Sequence, residues 1–278
     1  MPLTLLDSPA LPYALDEESL RLVNSLVTRN DDPVDNTFCE KQLRLLPTVL
    51  YSSWNPPAPP GSPGRRKFWA AADVGIFRHS KEPPLVPDTF VALDVEPPPN
   101  RQGAYFCWDT HKMPELVVEV VSNREGNELG SKRDKYASWG VEYYAVFDPD
   151  HEISDDELQV FVLKNGKFQA MEVPFFPPLG LGLTLWHGEF EAASATYLRW
   201  CDESGALLLT ADERSAETRR RAAEEVAESK AQAREAVADA QAHAREAVAE
   251  AKAQAADAIA QRERLAARLR ELGIDPGL

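Results

Sequence analysis

The chain has 278 residues, 44% of them hydrophobic and 9% aromatic, enough to bury the core of one sizeable domain plus an addition, or of two small domains. No apolar run approaches the roughly 18 residues that span a bilayer, and three scattered cysteines (Cys39, Cys107, Cys201) with five histidines give neither a disulfide framework nor metal-ligand spacing. The net charge is −15, of which residues 1–204 carry −13, and this balance argues against a broad basic face of the kind nucleic-acid binders usually show.

Residues 1–14 are apolar at the start but have no basic leader region and include Asp7, so no signal peptide is expected and a cytoplasmic protein is the default. Residues 15–29 read as a helix, with Leu20, Leu22, Val23, Leu26 and Val27 on one broad stripe. A second helix is expected over 38–54, burying Leu43, Leu45, Leu46, Val49 and Leu50. A Pro/Gly loop fills 55–66. Strands are expected over 68–77 and 88–95, then a loop with a few aromatics over 97–113.

Residues 115–121 and 141–147 are apolar enough to be strands covered on both faces. A short helix between them, over 129–140, makes a strand, helix, strand unit. That unit implies a right-handed crossover and an α/β fold in which helices pack on a mixed sheet. An acidic turn follows over 150–156. Residues 158–163 and 168–173 read as a hairpin about Asn165-Gly166, and 183–198 as short β pieces.

The tail is a different material. Residues 1–204 hold all six tryptophans and every Phe and Tyr, whereas 210–272 are Ala, Glu, Arg, Gln and Lys with neither proline nor aromatics. The chain is therefore expected to divide into a 1–204 domain and a 210–272 helical tail. Val226, Val237, Val248 and Ile259 recur every 11 residues. Eleven residues in three turns predict a straight or slightly right-handed supercoil instead of a heptad coil. Two readings stay open: a solvated helical spacer, or a coiled coil that pairs the chain with a second copy or docks a partner.

Three residues break the pattern of their surroundings. Glu119 stands among Val117, Val118, Val120 and Val121, and a buried carboxylate is costly unless paired, hydrogen-bonded or metal-bound; the alternative is a solvated edge strand. Asp88 follows Pro87 at the start of another strand, where an acid also serves local turn bonding. Lys132 shares a helix face with Leu129, Tyr136 and Trp139, which aims it at the sheet unless it snorkels to the rim. Two carboxylates and a lysine are the minimum for metal-assisted phosphodiester hydrolysis: the acids hold Mg2+ or Mn2+ and the ammonium steadies the water or the phosphate. For a further acid the candidates are Asp35, Glu40 and Asp73, and for each the alternative is a surface or capping acid.

These residues resemble the Uma2 family, a restriction-endonuclease-like branch of the PD-(D/E)XK nucleases. The resemblance rests on Pro87-Asp88, on the run Pro114-Glu115-Leu116-Val117-Val118-Glu119-Val120-Val121-Ser122, on Lys132 four residues before Tyr136, and on Gly140-Val141-Glu142-Tyr143-Tyr144 with Asp148-Pro149. It covers about 31–198, and the Ala-rich tail is similar to that of many members. It implies a restriction-endonuclease-like mixed β-sheet flanked by helices, followed by a long C-terminal α-helix or coiled coil. It also implies Asp88 and Glu119 as metal-binding acids, Lys132 as the catalytic lysine displaced onto the following helix, and Asp35 as an additional acid. The expected function is a Mg2+-dependent endonuclease acting on nucleic acid, DNA first, and forming a homo-oligomer through residues 210–272, with no membrane association. The alternative is a catalytically silent nuclease-like scaffold, multimerised by its tail.

Overall fold

A computed structural model of the chain describes residues 36–58, 61, 65–97, 103–273 and 277, together with Arg21. The helix expected over 15–29 lies outside the described residues. The contacts divide the chain into two units, residues 1–213 and 214–278.

In the first unit a helix, α1 (Thr37–Ser53), precedes β1 (Phe68–Ala72), β2 (Ile76–Phe77), β3 (Thr89–Leu93), β4 (Tyr105–Phe106) and a one-turn helix, α2 (Cys107–Thr110). Then come β5 (Leu116–Val120), α3 (Ser131–Trp139), β6 (Tyr143–Phe147), β7 (Leu158–Lys164), β8 (Lys167–Ala170), β9 (Phe175–Phe176), β10 (Leu181–Phe190) and β11 (Ala193–Cys201). The central sheet has the order β1-β3-β5-β6-β7-β8. Its single parallel pair is β5 with β6, and α3 sits in the crossover joining them, as the apolar runs on either side of it predict. The sheet is thus mixed, with helices on both faces.

Side-chain alternation sorts the core into two layers. Leu116, Val118 and Val120 of β5 join Val91, Leu93, Ala145 and Phe147 under α1 and the β9–β11 sheet. Val117 and Val121 join Phe90, Tyr144 and Val146 on the opposite face, under Tyr136 and Trp139 of α3. Glu119 has the parity of the second layer.

Helix α1 begins where Asn36 accepts the Cys39 N–H at 2.9 Å, an ordinary N-cap. Its Gln42 is fully buried and grips β11 twice: Nε2 donates to the Leu198 carbonyl at 3.0 Å and Oε1 accepts the Leu198 N–H at 2.9 Å. Strand β11 is the edge of its sheet, so those two backbone groups have no strand to bond. The Trp200 indole N–H donates to the Leu46 carbonyl at 2.8 Å and seals the same joint.

Two expectations are corrected. Residues 68–77 are not one strand: the chain leaves β1 at Asp73, whose φ of 54° is left-handed, and resumes as β2. Residues 183–198 are not short pieces but most of a hairpin of ten- and nine-residue strands. Its two-residue turn is Glu191-Ala192, with φ of 48° and 60°, which lacks the Asn-Gly signal that marks the 165–166 turn. Contacts to α1 compensate: the Glu191 carboxylate pairs with Arg44 and its carbonyl accepts from Lys41 Nζ at 2.6 Å.

The long helix α4 (Ala211–Glu271) opens with a capping box. Thr210 Oγ1 accepts the Glu213 N–H at 3.1 Å, and Glu213 Oε2 accepts the Thr210 N–H at 2.7 Å. Buried Arg199 donates to both Glu213 oxygens and lies over the Trp186 ring at 4.9 Å. In the second unit the helix runs on to Glu271 with every residue from 218 to 259 exposed. No described helix is long and apolar enough to cross a membrane.

Replacing Gln42 by Leu leaves the Leu198 N–H and carbonyl buried without partners. Each such group costs about 1–3 kcal/mol. Urea denaturation of Gln42→Leu is therefore expected to show a loss of roughly 2–5 kcal/mol relative to the parent chain.

Candidate active site

Strand register brings the two predicted acids together. The last paired residues of β3 and β5 are Thr89 and Val118, antiparallel, so one step further sets Asp88 opposite Glu119. Pro87 then stands opposite Val120, and Asp88 Oδ2 accepts the Val120 N–H at 2.6 Å, closing the end of the ladder. The Asp88 carboxyl also lies within hydrogen-bonding reach of Glu119.

Glu119 sits in the middle strand, between β3 and β6, and is fully buried; the edge-strand alternative is excluded. Both its oxygens are engaged. Lys132 Nζ donates to Oε2 at 2.7 Å and the Tyr136 hydroxyl donates to Oε1 at 3.0 Å. Lys132 and Tyr136 are one turn apart on α3, so a single helix face supplies both donors. Lys132 keeps 22% of its side chain exposed, and Asp88 is likewise only partly buried, whereas Glu119 is closed off completely. Arg133 and Lys135 flank it, lying over the Phe161 and Trp139 rings.

Sequence reasoning missed Glu128. It is buried, and its Oε2 has no hydrogen-bond partner. The carboxylate folds back on Gly126, where a β-carbon would lie 1.7 Å from Oε1, so a side chain there would push the carboxylate out of this position. Its charge acts on both Asp88 and Lys132. The Tyr144 hydroxyl donates to the Glu128 carbonyl at 2.8 Å and fixes the loop. Glu128 stands in the polar run 123–128, just ahead of the helix expected over 129–140, where one more acid carries no signal.

Of the other candidate acids, Asp73 is adjacent: its N–H donates to the Asp88 carbonyl at 3.3 Å, and burial raises its carboxyl. Glu40 is not brought to the site. It lies on α1, across the sheet, and pairs with Arg44. Asp35 lies outside the described residues.

The electrostatics follow from the crowding. Burial raises Asp88, against the opposing Val120 N–H and Lys132. Burial pushes Glu119 up to about 8, with Asp88 adding to the rise and Lys132 resisting it. Burial works against the Lys132 ammonium too, but Glu119, Asp88 and Glu128 together hold it above its ordinary value. Tyr136 is pushed far up by burial and by Glu119, so its hydroxyl stays a donor.

The sign of the pH effect follows. Glu119 goes from an ordinary value of 4.5 to about 8 on folding, so between those values the folded chain holds a proton that the unfolded chain releases. Its contribution is complete below 4.5 and is lost as pH rises through 8. Urea titrations without divalent metal are expected to show the parent losing a few kcal/mol more than Glu119→Gln over that window; parallel curves would contradict this.

The Uma2 family model, described as "Putative restriction endonuclease", matches residues 50–186. No curated protein matches the chain. Among solved structures, a putative nuclease belonging to DUF820 from Anabaena variabilis ATCC 29413 is similar at 13% identity, over 54% of this chain and 73% of that one, with a TM-score of 0.33. The stretch that is similar to the Uma2 family contains Asp88, Glu119, Glu128, Lys132 and Tyr136.

Proposed function

We propose that the chain is a divalent-metal-dependent endonuclease that hydrolyses phosphodiester bonds in nucleic acid, DNA first, in a cytoplasmic setting. The observation that carries this reading is the meeting of Asp88, Glu119 and Lys132, 31 and 13 residues apart in the chain, at one buried point.

The donor set suits a hard cation. It offers oxygen ligands only, carries more negative than positive charge, and includes one buried carboxylate oxygen, Glu128 Oε2, with nothing bonded to it. Among the described residues no group of three or more His, Cys, Asp or Glu side chains is arranged to hold a metal ion. Asp88 and Glu119 would therefore hold Mg2+ or Mn2+ as a pair, with water and substrate oxygens completing the shell, the usual arrangement for magnesium. When bound, such an ion supplies an acidified water and counter-charge for the phosphate. Tyr136 fixes the Glu119 carboxylate by its hydroxyl. Lys132, at the solvent side of the pair, is placed to hold a phosphate oxygen or the attacking water.

A second reading is the silent scaffold, and one observation favours it: both Glu119 oxygens are already committed to Lys132 and Tyr136. The net charge of −13 over residues 1–204 points the same way. Either reading includes a second copy of the chain, bound through residues 210–272.

The deciding assay incubates the chain with single- and double-stranded DNA and with RNA, with and without Mg2+ or Mn2+. Cleavage is expected only with metal. Glu119→Ala is expected to abolish it with the circular dichroism spectrum retained, and Lys132→Ala to slow it by roughly 10²–10³-fold. Cleavage at the parent rate in Glu119→Ala would remove that residue from the chemistry, and no cleavage of any substrate would leave the scaffold.

A further inference from the structure

The 11-residue repeat of α4 orders charge around the helix as well as apolar bulk. Val226, Val237, Val248 and Ile259 are 53–59% exposed, an aliphatic row standing in solvent. Stepping four residues at a time turns slowly around the helix, so each step reaches the neighbouring row. Backward from Val237, Val248 and Ile259 lie Ala233, Ala244 and Ala255. The next row is Ser229, Ala240 and Ala251, and the one after it Ala236, Ala247 and Ala258. Beyond them comes an uncharged polar row, Gln232, His243 and Gln254. Forward from the valines lies a border with basic residues and no acid: Lys230, Gln241 and Lys252, with Arg234, Arg245 and Ala256 in the next row. Acids such as Glu235, Asp239, Glu246 and Glu250 occupy the far side. The apolar band thus has one basic edge and one uncharged edge.

That asymmetry selects a partner and its direction. A second copy laid antiparallel would set basic edge against basic edge. A second copy laid parallel and in register, with the valine row as the seam, sets each aliphatic residue against its own counterpart and each basic border against the partner's uncharged alanine rows. The alanines between the valines let two backbones approach closely, and the 11-residue period keeps the row facing the partner along a nearly straight helix. We propose that residues 226–259 pair with the same segment of a second copy of this chain, parallel and in register. This rests on the second-copy reading above and adds direction and register to it.

Direction has a consequence for connectivity. A helix of 61 residues is about 90 Å long. A parallel pair starts both helices from one end, and with them the two points where residues 1–213 join. An antiparallel pair would send them toward opposite ends.

The experiment uses the full chain and two single variants, Val226→Cys and Val248→Cys, under mild oxidation, with the parent and its own three cysteines as control. Sedimentation equilibrium is expected to give the mass of two chains. Both variants are expected to form covalent dimers at least tenfold above the parent. An antiparallel pair cannot oppose both positions to themselves. A two-chain mass with self-crosslinking at one position or neither therefore overturns the direction and leaves self-association standing. A one-chain mass overturns both, and a larger mass overturns the pair. None of these outcomes bears on the cleavage assay.

Discussion

A carboxyl at the centre of a sheet constrains everything around it. Glu119 lies between two strands and beneath a helix, with no solvent to bond its oxygens. Such a group is tolerated only when its oxygens are bonded and its charge opposed. The fold supplies both from one helix face, and this sets where α3 must lie. Its axis has to bring residues one turn apart, Lys132 and Tyr136, over the middle of β5, while Trp139 fills the adjoining apolar layer. The parallel crossover between β5 and β6 is what allows a short helix to land there.

The same constraint explains why the second acid comes from β3. The β3–β5 pairing ends at Thr89 and Val118, and beyond it the Val120 N–H donates to the Asp88 side chain instead of to a backbone carbonyl of β3. Asp88 is thus a structural group and, under the proposed function, a site group at once. The opposite layer is independent of this chemistry. There Gln42 and Trp200 lock α1 to the second sheet through backbone groups that an edge strand leaves open.

Much of this is legible in the amino-acid sequence because the features are local. An acid inside a valine run, a lysine at the helical spacing of Leu129, Tyr136 and Trp139, and an unbroken Ala-rich repeat announce themselves by period and contrast. The parts that stay hidden depend on distant partners. The Glu191-Ala192 turn has no glycine or asparagine, and its left-handed residues are held by Arg44 and Lys41, some 150 positions earlier. Glu128 is an acid in a polar loop until the fold closes over it. Gln42 is one polar residue on an apolar helix face, and only the position of β11 shows why it is there.

The double duty of Asp88 has an evolutionary corollary. A descendant of this fold relieved of chemistry would still need a carboxylate to finish the β3–β5 ladder, because removing it exposes an unbonded backbone group in the core. Lys132, reaching toward solvent, carries no such obligation once Glu119 is gone. Degenerate relatives should therefore shed the lysine and its glutamate first and keep the aspartate longest, as a fossil of the intact site.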